Sequence, residues 1–193
     1  MNYLNKKLMG CLGLEKLDKD EREIIEYSLR QFEKSLLGFS IALLVSYLMG
    51  IFIAGLYYIF AFSILRVYTG GYHAKKEYNC AFISFAVLLF SLALIKAPFM
   101  SFPICAITGL LCVAAIIGFA PVANANRKIS LREKKVFKLR AVMISVTIYF
   151  TLFVAEHYEN LSFVRSAAAV LISTAILLLA GLITNEKNEK RSV

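Results

Sequence analysis

SLLGFSIALLVSYLMGIFIAGLYYIFAFSIL, Ser35 to Leu65, runs for 31 residues without an Asp, Glu, Lys or Arg. As one helix it would be about 46 Å long, too long for a single pass through a hydrocarbon core of about 30 Å. As two helices turning near Met49-Gly50, each half of 15–16 residues is short. Lys34 and Arg66 at its ends can snorkel to the headgroups and lengthen it. Four more runs lack these charges: Ala81–Ile95, Ala97–Asn126, Ala141–Ala155 and Ser166–Asn185. The chain is 59% hydrophobic over 193 residues. A soluble bundle would have too little polar surface left to cover such a core.

Lys and Arg decide between one crossing and two, because they gather in short cytoplasmic loops. Residues 1–34 hold seven of them, 66–80 three, 127–140 seven and 186–193 three, whereas the remaining segments hold only Lys96 and Arg165. If Ser35–Leu65 crosses twice, the four rich segments share one side and Lys96 and Arg165 the other. The predicted fold is therefore all-α and polytopic, with six transmembrane helices and both termini cytoplasmic. A four- or five-span bundle with a re-entrant piece is the alternative. The positive-inside rule accounts for the net charge of +9 without a nucleic-acid partner. Membrane lipid is the expected surround.

The N-terminus is charged for 34 residues before the first apolar run, which is unlike a cleaved signal peptide. Leu14, Leu17, Ile24, Ile25, Leu29 and Phe32 recur at helical spacing among those charges. Asp20 as N-cap with Glu23 three residues on predicts an amphipathic helix over Asp20–Lys34, lying on the inner membrane face. A solvated lead-in to the first span is the plainer alternative. No repeat or low-complexity linker divides the chain. The expected organisation is one membrane domain, 1–193: a cytoplasmic amphipathic segment (1–34), a transmembrane bundle (35–185) and a cytoplasmic tail (186–193).

Between two apolar runs lies a polar island, RVYTGGYHAKKEYNC, Arg66 to Cys80, with one of the two histidines and one of the four cysteines. On a continuous helix His73 and Cys80 would lie about 10.5 Å apart, beyond the roughly 3 Å that a nucleophile and its base require. Gly70-Gly71 permits a sharp return, since glycine accepts positive φ. His73 would then sit on the folded-back loop and Cys80 in the first turn of the next helix, with Asn79 as its N-cap. A helix N-terminus and Lys75 or Lys76 favour a thiolate. A third, orienting group stays open among Glu77, Asn79, Asn124 and Asn126. The plainer reading is a short basic loop with a chance histidine. One His and one Cys do not make a metal site, and no phosphate loop is present, so no metal or cofactor is expected. Cys105 and Cys112 read as apolar fillers, and His157 as a solvated outer-loop residue.

The island resembles the signature of the accessory gene regulator B family, membrane-embedded cysteine endopeptidases of Gram-positive quorum sensing. Arg66, Gly70, Gly71, His73, Ala74 and Cys80 match its order and spacing. APVANANRK, Ala120 to Lys128, resembles the family's second cytoplasmic segment, and the length and apolar profile fit nearly the whole chain. The resemblance implies His73 and Cys80 as catalytic residues, with Arg66, Gly70 and Gly71 supporting. It implies an AgrD-like propeptide substrate with an amphipathic leader, a central Cys or Ser and an acidic tail. Cys80 would cleave before that tail, and the propeptide's thiol or hydroxyl would close a thiolactone or lactone. It also implies a homodimer. The rival class, a transporter or exporter of a small peptide, has six spans in its favour. Against it, the spans lack the midplane charges that transporters use.

Overall fold

A computed structural model of the chain describes residues 19–72, 77–122 and 130–189. They form six helices: α1 Lys19–Leu48, α2 Phe52–Thr69, α3 Glu77–Lys96, α4 Phe102–Phe119, α5 Leu131–His157 and α6 Leu161–Glu189. The chain divides into two compact units, one ending at Val45 and the other starting at Ser46.

The 31-residue run breaks where the length argument put the break. Met49 and Gly50 form a turn with Gly50 at φ 70°, a conformation that costs a residue without Cβ little. The Gly50 N–H donates to the Tyr47 carbonyl (2.9 Å) and the Ile51 N–H to that of Ser46 (3.0 Å). Among the described residues four helices are long and apolar enough to cross a membrane, covering Phe52–Thr69, Phe102–Phe119, Arg132–His157 and Leu161–Thr184. Ser35–Leu48 and Phe82–Lys96 are shorter apolar helical stretches. At 14 residues the first of these rises about 21 Å. The protein is thus an all-α, multi-pass membrane protein.

Two expected helix starts shift. α1 begins at Lys19, so Asp20 lies inside its first turn instead of capping it. α1 also runs without a break from the charged stretch Asp20–Lys34 into the apolar stretch ending at Leu48, joining two elements that the sequence reading kept apart. No proline interrupts residues 19–48, and the single glycine, Gly38, is tolerated in a helix interior. α3 begins at Glu77, which puts Asn79 within its first turn and not at the N-cap. α6 continues as a helix to Glu189, while its apolar, membrane-length part ends at Thr184.

α6 is the central helix of the second unit and packs against α2, α3, α4 and α5. Its buried run Ser166-Ala167-Ala168-Ala169 explains this, because small side chains let helix backbones approach closely where lipid offers no hydrophobic drive. Interhelical hydrogen bonds supplement the packing. Ser166 Oγ donates to the Ala54 carbonyl of α2 (2.7 Å), and Tyr58 Oη to Ser173 Oγ (3.3 Å). Tyr57 Oη and Thr151 Oγ1 lie 2.6 Å apart, linking α2 to α5. Small hydroxyl side chains are buried within an otherwise apolar core, and large apolar side chains cover the outside. Ser91, Ser145, Ser166, Ser173 and Thr174 are buried, whereas Phe60, Ile107, Leu111, Met143 and Phe150 are exposed. An apolar exterior of this extent fits hydrocarbon as its solvent.

The connections sort to two ends. At one end, Arg165 of α6 donates from Nε to the Met100 carbonyl (2.9 Å) and fastens the α3–α4 loop. Ser46 and Leu92 meet Gly55 near the same end. At the other end, Tyr68 near the end of α2 stacks edge-on against Phe137 of α5 (5.9 Å), with the Arg140 guanidinium 5.5 Å from the Tyr68 ring. Ser130 starts α5 there with a reciprocal capping box to Glu133. The exposed basic residues Arg132, Lys134, Lys135 and Lys138 follow.

Candidate functional site

The second end holds the start of the polar island. α2 stops at Thr69 because the next two residues are glycines at φ 65° and 118°, values that side chains with Cβ rarely adopt. Three contacts then hold the turn. Arg66, one turn before the end of α2, donates from its guanidinium to the Gly70 carbonyl and, through Nη2, to the Tyr72 carbonyl (2.7 Å). Gly70 pairs with Val122 in a short parallel bridge, and the Val122 N–H donates to the Thr69 carbonyl (3.0 Å). The Tyr72 N–H donates to the Leu177 carbonyl of α6 (2.9 Å).

Neither glycine tolerates a side chain. A Cβ on Gly70 would strike the Val122 carbonyl oxygen, and one on Gly71 would meet the Arg66 guanidinium and stand 2.8 Å from the Leu177 carbonyl oxygen. The turn therefore needs glycine for both conformation and close approach. Arg66 suits its place because a planar fork can serve two carbonyls at once.

Of the residues expected to carry chemistry, Arg66, Gly70 and Gly71 come together in this clamp. The backbone of Cys80 lies in the first turn of α3. His73, Lys75, Lys76, Asn124, Asn126 and the side chains of Glu77, Asn79 and Cys80 lie outside the described residues. The bridge to Val122 joins the island to the Ala120–Lys128 segment through backbone. Among the described residues no group of three or more His, Cys, Asp or Glu could hold a metal ion. Cys105 is buried in α4 and Cys112 is half-buried there, as fillers would be, and His157 is exposed at the end of α5.

The sequence reading missed Tyr72, Val122, Leu177 and Gly181, which form the other half of the clamp. The one signal for them is Gly181, the single glycine in the Ser166–Asn185 run.

Fold and site define a polytopic helical membrane protein with an arginine-clamped double-glycine turn at one end of the bundle. The profile of the Accessory gene regulator B family matches residues 1–183, and the chain belongs to that family. It is 27% identical over 139 residues to a protein of Clostridium perfringens (strain SM101 / Type A) described as AgrB-like, the match covering 68% of this chain. An AgrB-like protein 2 of strain 13 of the same species matches to the same extent. The chain spans about 65% of the length of these curated relatives. No solved structure matches it.

Proposed function

We propose that this protein is a membrane-embedded cysteine endopeptidase that removes the C-terminal tail of an AgrD-like propeptide and cyclises the remainder for quorum sensing. The observation that carries this reading is the clamped turn, which ends one residue before His73 in a chain of the AgrB family. Such a clamp is what a catalytic loop at a membrane boundary needs: fixed backbone directly before a proton acceptor. The start of α3 at Glu77 supports a role for Cys80, since amides of a helix's first turn favour a thiolate.

In this mechanism His73 takes the Cys80 thiol proton. The thiolate attacks the carbonyl preceding the tail. The peptide C–N bond breaks, the tail leaves as an amine carrying the proton from His73, and a thioester to Cys80 remains. The propeptide's own thiol or hydroxyl then attacks the thioester, forming the ring and returning the Cys80 thiol. Thioester-to-thiolactone exchange is nearly isoenergetic, whereas water would end the sequence in hydrolysis. A site at the membrane boundary limits that loss.

The topology we propose has six spans in a single domain of residues 1–193, with the apolar part of α1, Ser35–Leu48, and α3 each crossing once and both termini in the cytoplasm. Bringing the island and the basic start of α5 to one end, and Arg165 with the α3–α4 loop to the other, supports it. The Asp20–Lys34 half of α1 meets the inner headgroups, lipid surrounds the bundle, and the protein works as a homodimer. The test is a cleavage assay on propeptide at matched expression. Cys80→Ala and His73→Ala should each abolish cleavage while the protein stays inserted. The double variant should be hardly worse than either single, because groups acting as a unit are not additive. An active Cys80→Ala protein would overturn the peptidase reading.

A further inference from the structure

Gly181 lies on α6, far in sequence from the island, yet the turn rests on it. A Cβ placed at Gly181 would stand 2.6 Å from the Tyr72 nitrogen, 2.7 Å from the Gly71 carbonyl carbon and 2.8 Å from the Gly71 Cα. All three are backbone atoms, so no rotation of a flexible side chain relieves the contact. The turn itself cannot slide away. Gly70 is bridged to Val122, and Arg66 holds the Gly70 and Tyr72 carbonyls.

The same rung of α6 supplies a hydrogen bond. Helical geometry pairs the Leu177 carbonyl with the N–H of Gly181, four residues on. That carbonyl also accepts from the Tyr72 N–H at 2.9 Å. Gly181 is buried, and its missing side chain is what lets the Tyr72 N–H come within reach of its acceptor. The seat thus combines a space requirement with a directional bond, and it acts on the residue directly before His73.

We propose that Gly181 is a positioning residue for the peptidase reaction: the Leu177–Gly181 rung of α6 is the seat that fixes the Gly71–Tyr72 backbone and through it the placement of His73. This rests on the cysteine-peptidase reading above. It makes α6, otherwise the packing centre of the bundle, a direct support of the catalytic loop. Gly181→Ala should lift the turn from its seat, and Tyr72→Pro should remove the donor while leaving α6 untouched.

The experiment uses full-length protein in vesicles with Cys11, Cys105 and Cys112 changed to Ala. Two readouts are taken: kcat for propeptide cleavage, and the pH dependence of Cys80 alkylation by a small iodoacetamide. Gly118→Ala on α4 is the control, because a Cβ there meets nothing within 4 Å. Gly181→Ala and Tyr72→Pro should each lower kcat at least tenfold. Each should also move the Cys80 alkylation midpoint up, toward the value of about 8.5 for a free thiol. Gly118→Ala should change neither. Wild-type kcat and an unmoved alkylation profile in inserted Gly181→Ala would overturn the proposal. Should Gly181→Ala fail to insert, the same outcome in Tyr72→Pro decides against it. If the parent cleaves no propeptide, the peptidase reading fails, and the alkylation profiles alone decide whether the seat exists.

Discussion

Arg66→Lys keeps the charge and the approximate length of the side chain but removes the fork. In the wild type the guanidinium reaches two carbonyls, those of Gly70 and Tyr72. A lysine ammonium is a single point and can serve one of them well. The other carbonyl, partly buried in the turn, loses a charge-assisted bond whose net worth is about 1.5–3 kcal/mol. If that free energy holds the turn in its productive form, kcat/KM should fall about 10- to 150-fold, at about 1.4 kcal/mol per factor of ten. Topology should not change, because the positive charge stays. The assay is initial cleavage rate against propeptide concentration in vesicles, with enzyme matched by immunoblot. A kcat/KM within twofold of wild type would refute the reasoning that the fork, and not charge alone, secures the turn.

The other expectations come from different parts of the molecule. A cysteine at Ser101, exposed in the α3–α4 connection, should react with a membrane-impermeant thiol reagent in intact cells while Cys80 does not; labelling of Cys80 alone from outside would reverse the proposed topology. Arg165→Gln should lose the bond to the Met100 carbonyl and about 1.5–3 kcal/mol of stability, lowering the thermal midpoint in detergent without lowering kcat. An unchanged midpoint would show that this clamp does not hold the loop. Replacing Ile25 and Leu29, both half-buried, together with Asp should impair substrate engagement with the spans still inserted. Normal cleavage by that double variant would remove the amphipathic half of α1 from the mechanism.

Much of the fold was legible because membrane helices advertise themselves locally. Charge-free runs gave the helices, and the excess length of Ser35–Leu65 gave the turn at Met49-Gly50. Local signals failed where two patterns met without a breaker. The change from charged to apolar at Lys34 looked like a boundary, yet nothing in residues 19–48 stops a helix, and α1 continues. Asn79 looked like a cap, yet α3 starts two residues earlier at Glu77. At the site, Arg66, Gly70 and Gly71 were found by spacing and resemblance. Their partners were not, because Val122, Leu177 and Gly181 are 50 to 110 residues away and contribute backbone atoms or the absence of a side chain. Neither leaves a chemical mark in the sequence beyond a glycine in an apolar helix.

The central claim is that Cys80 carries the acyl group between cleavage and ring closure. Purified protein in vesicles, mixed with propeptide whose ring-closing Cys or Ser is replaced by Ala, should stall at the thioester. Acid quench and peptide mass spectrometry should then find Cys80 bearing the propeptide without its tail, an adduct that hydroxylamine removes. The account predicts that adduct on Cys80 and its loss in His73→Ala. Tail release with the acyl group on another residue, or cleavage at the wild-type rate by Cys80→Ala, would contradict it.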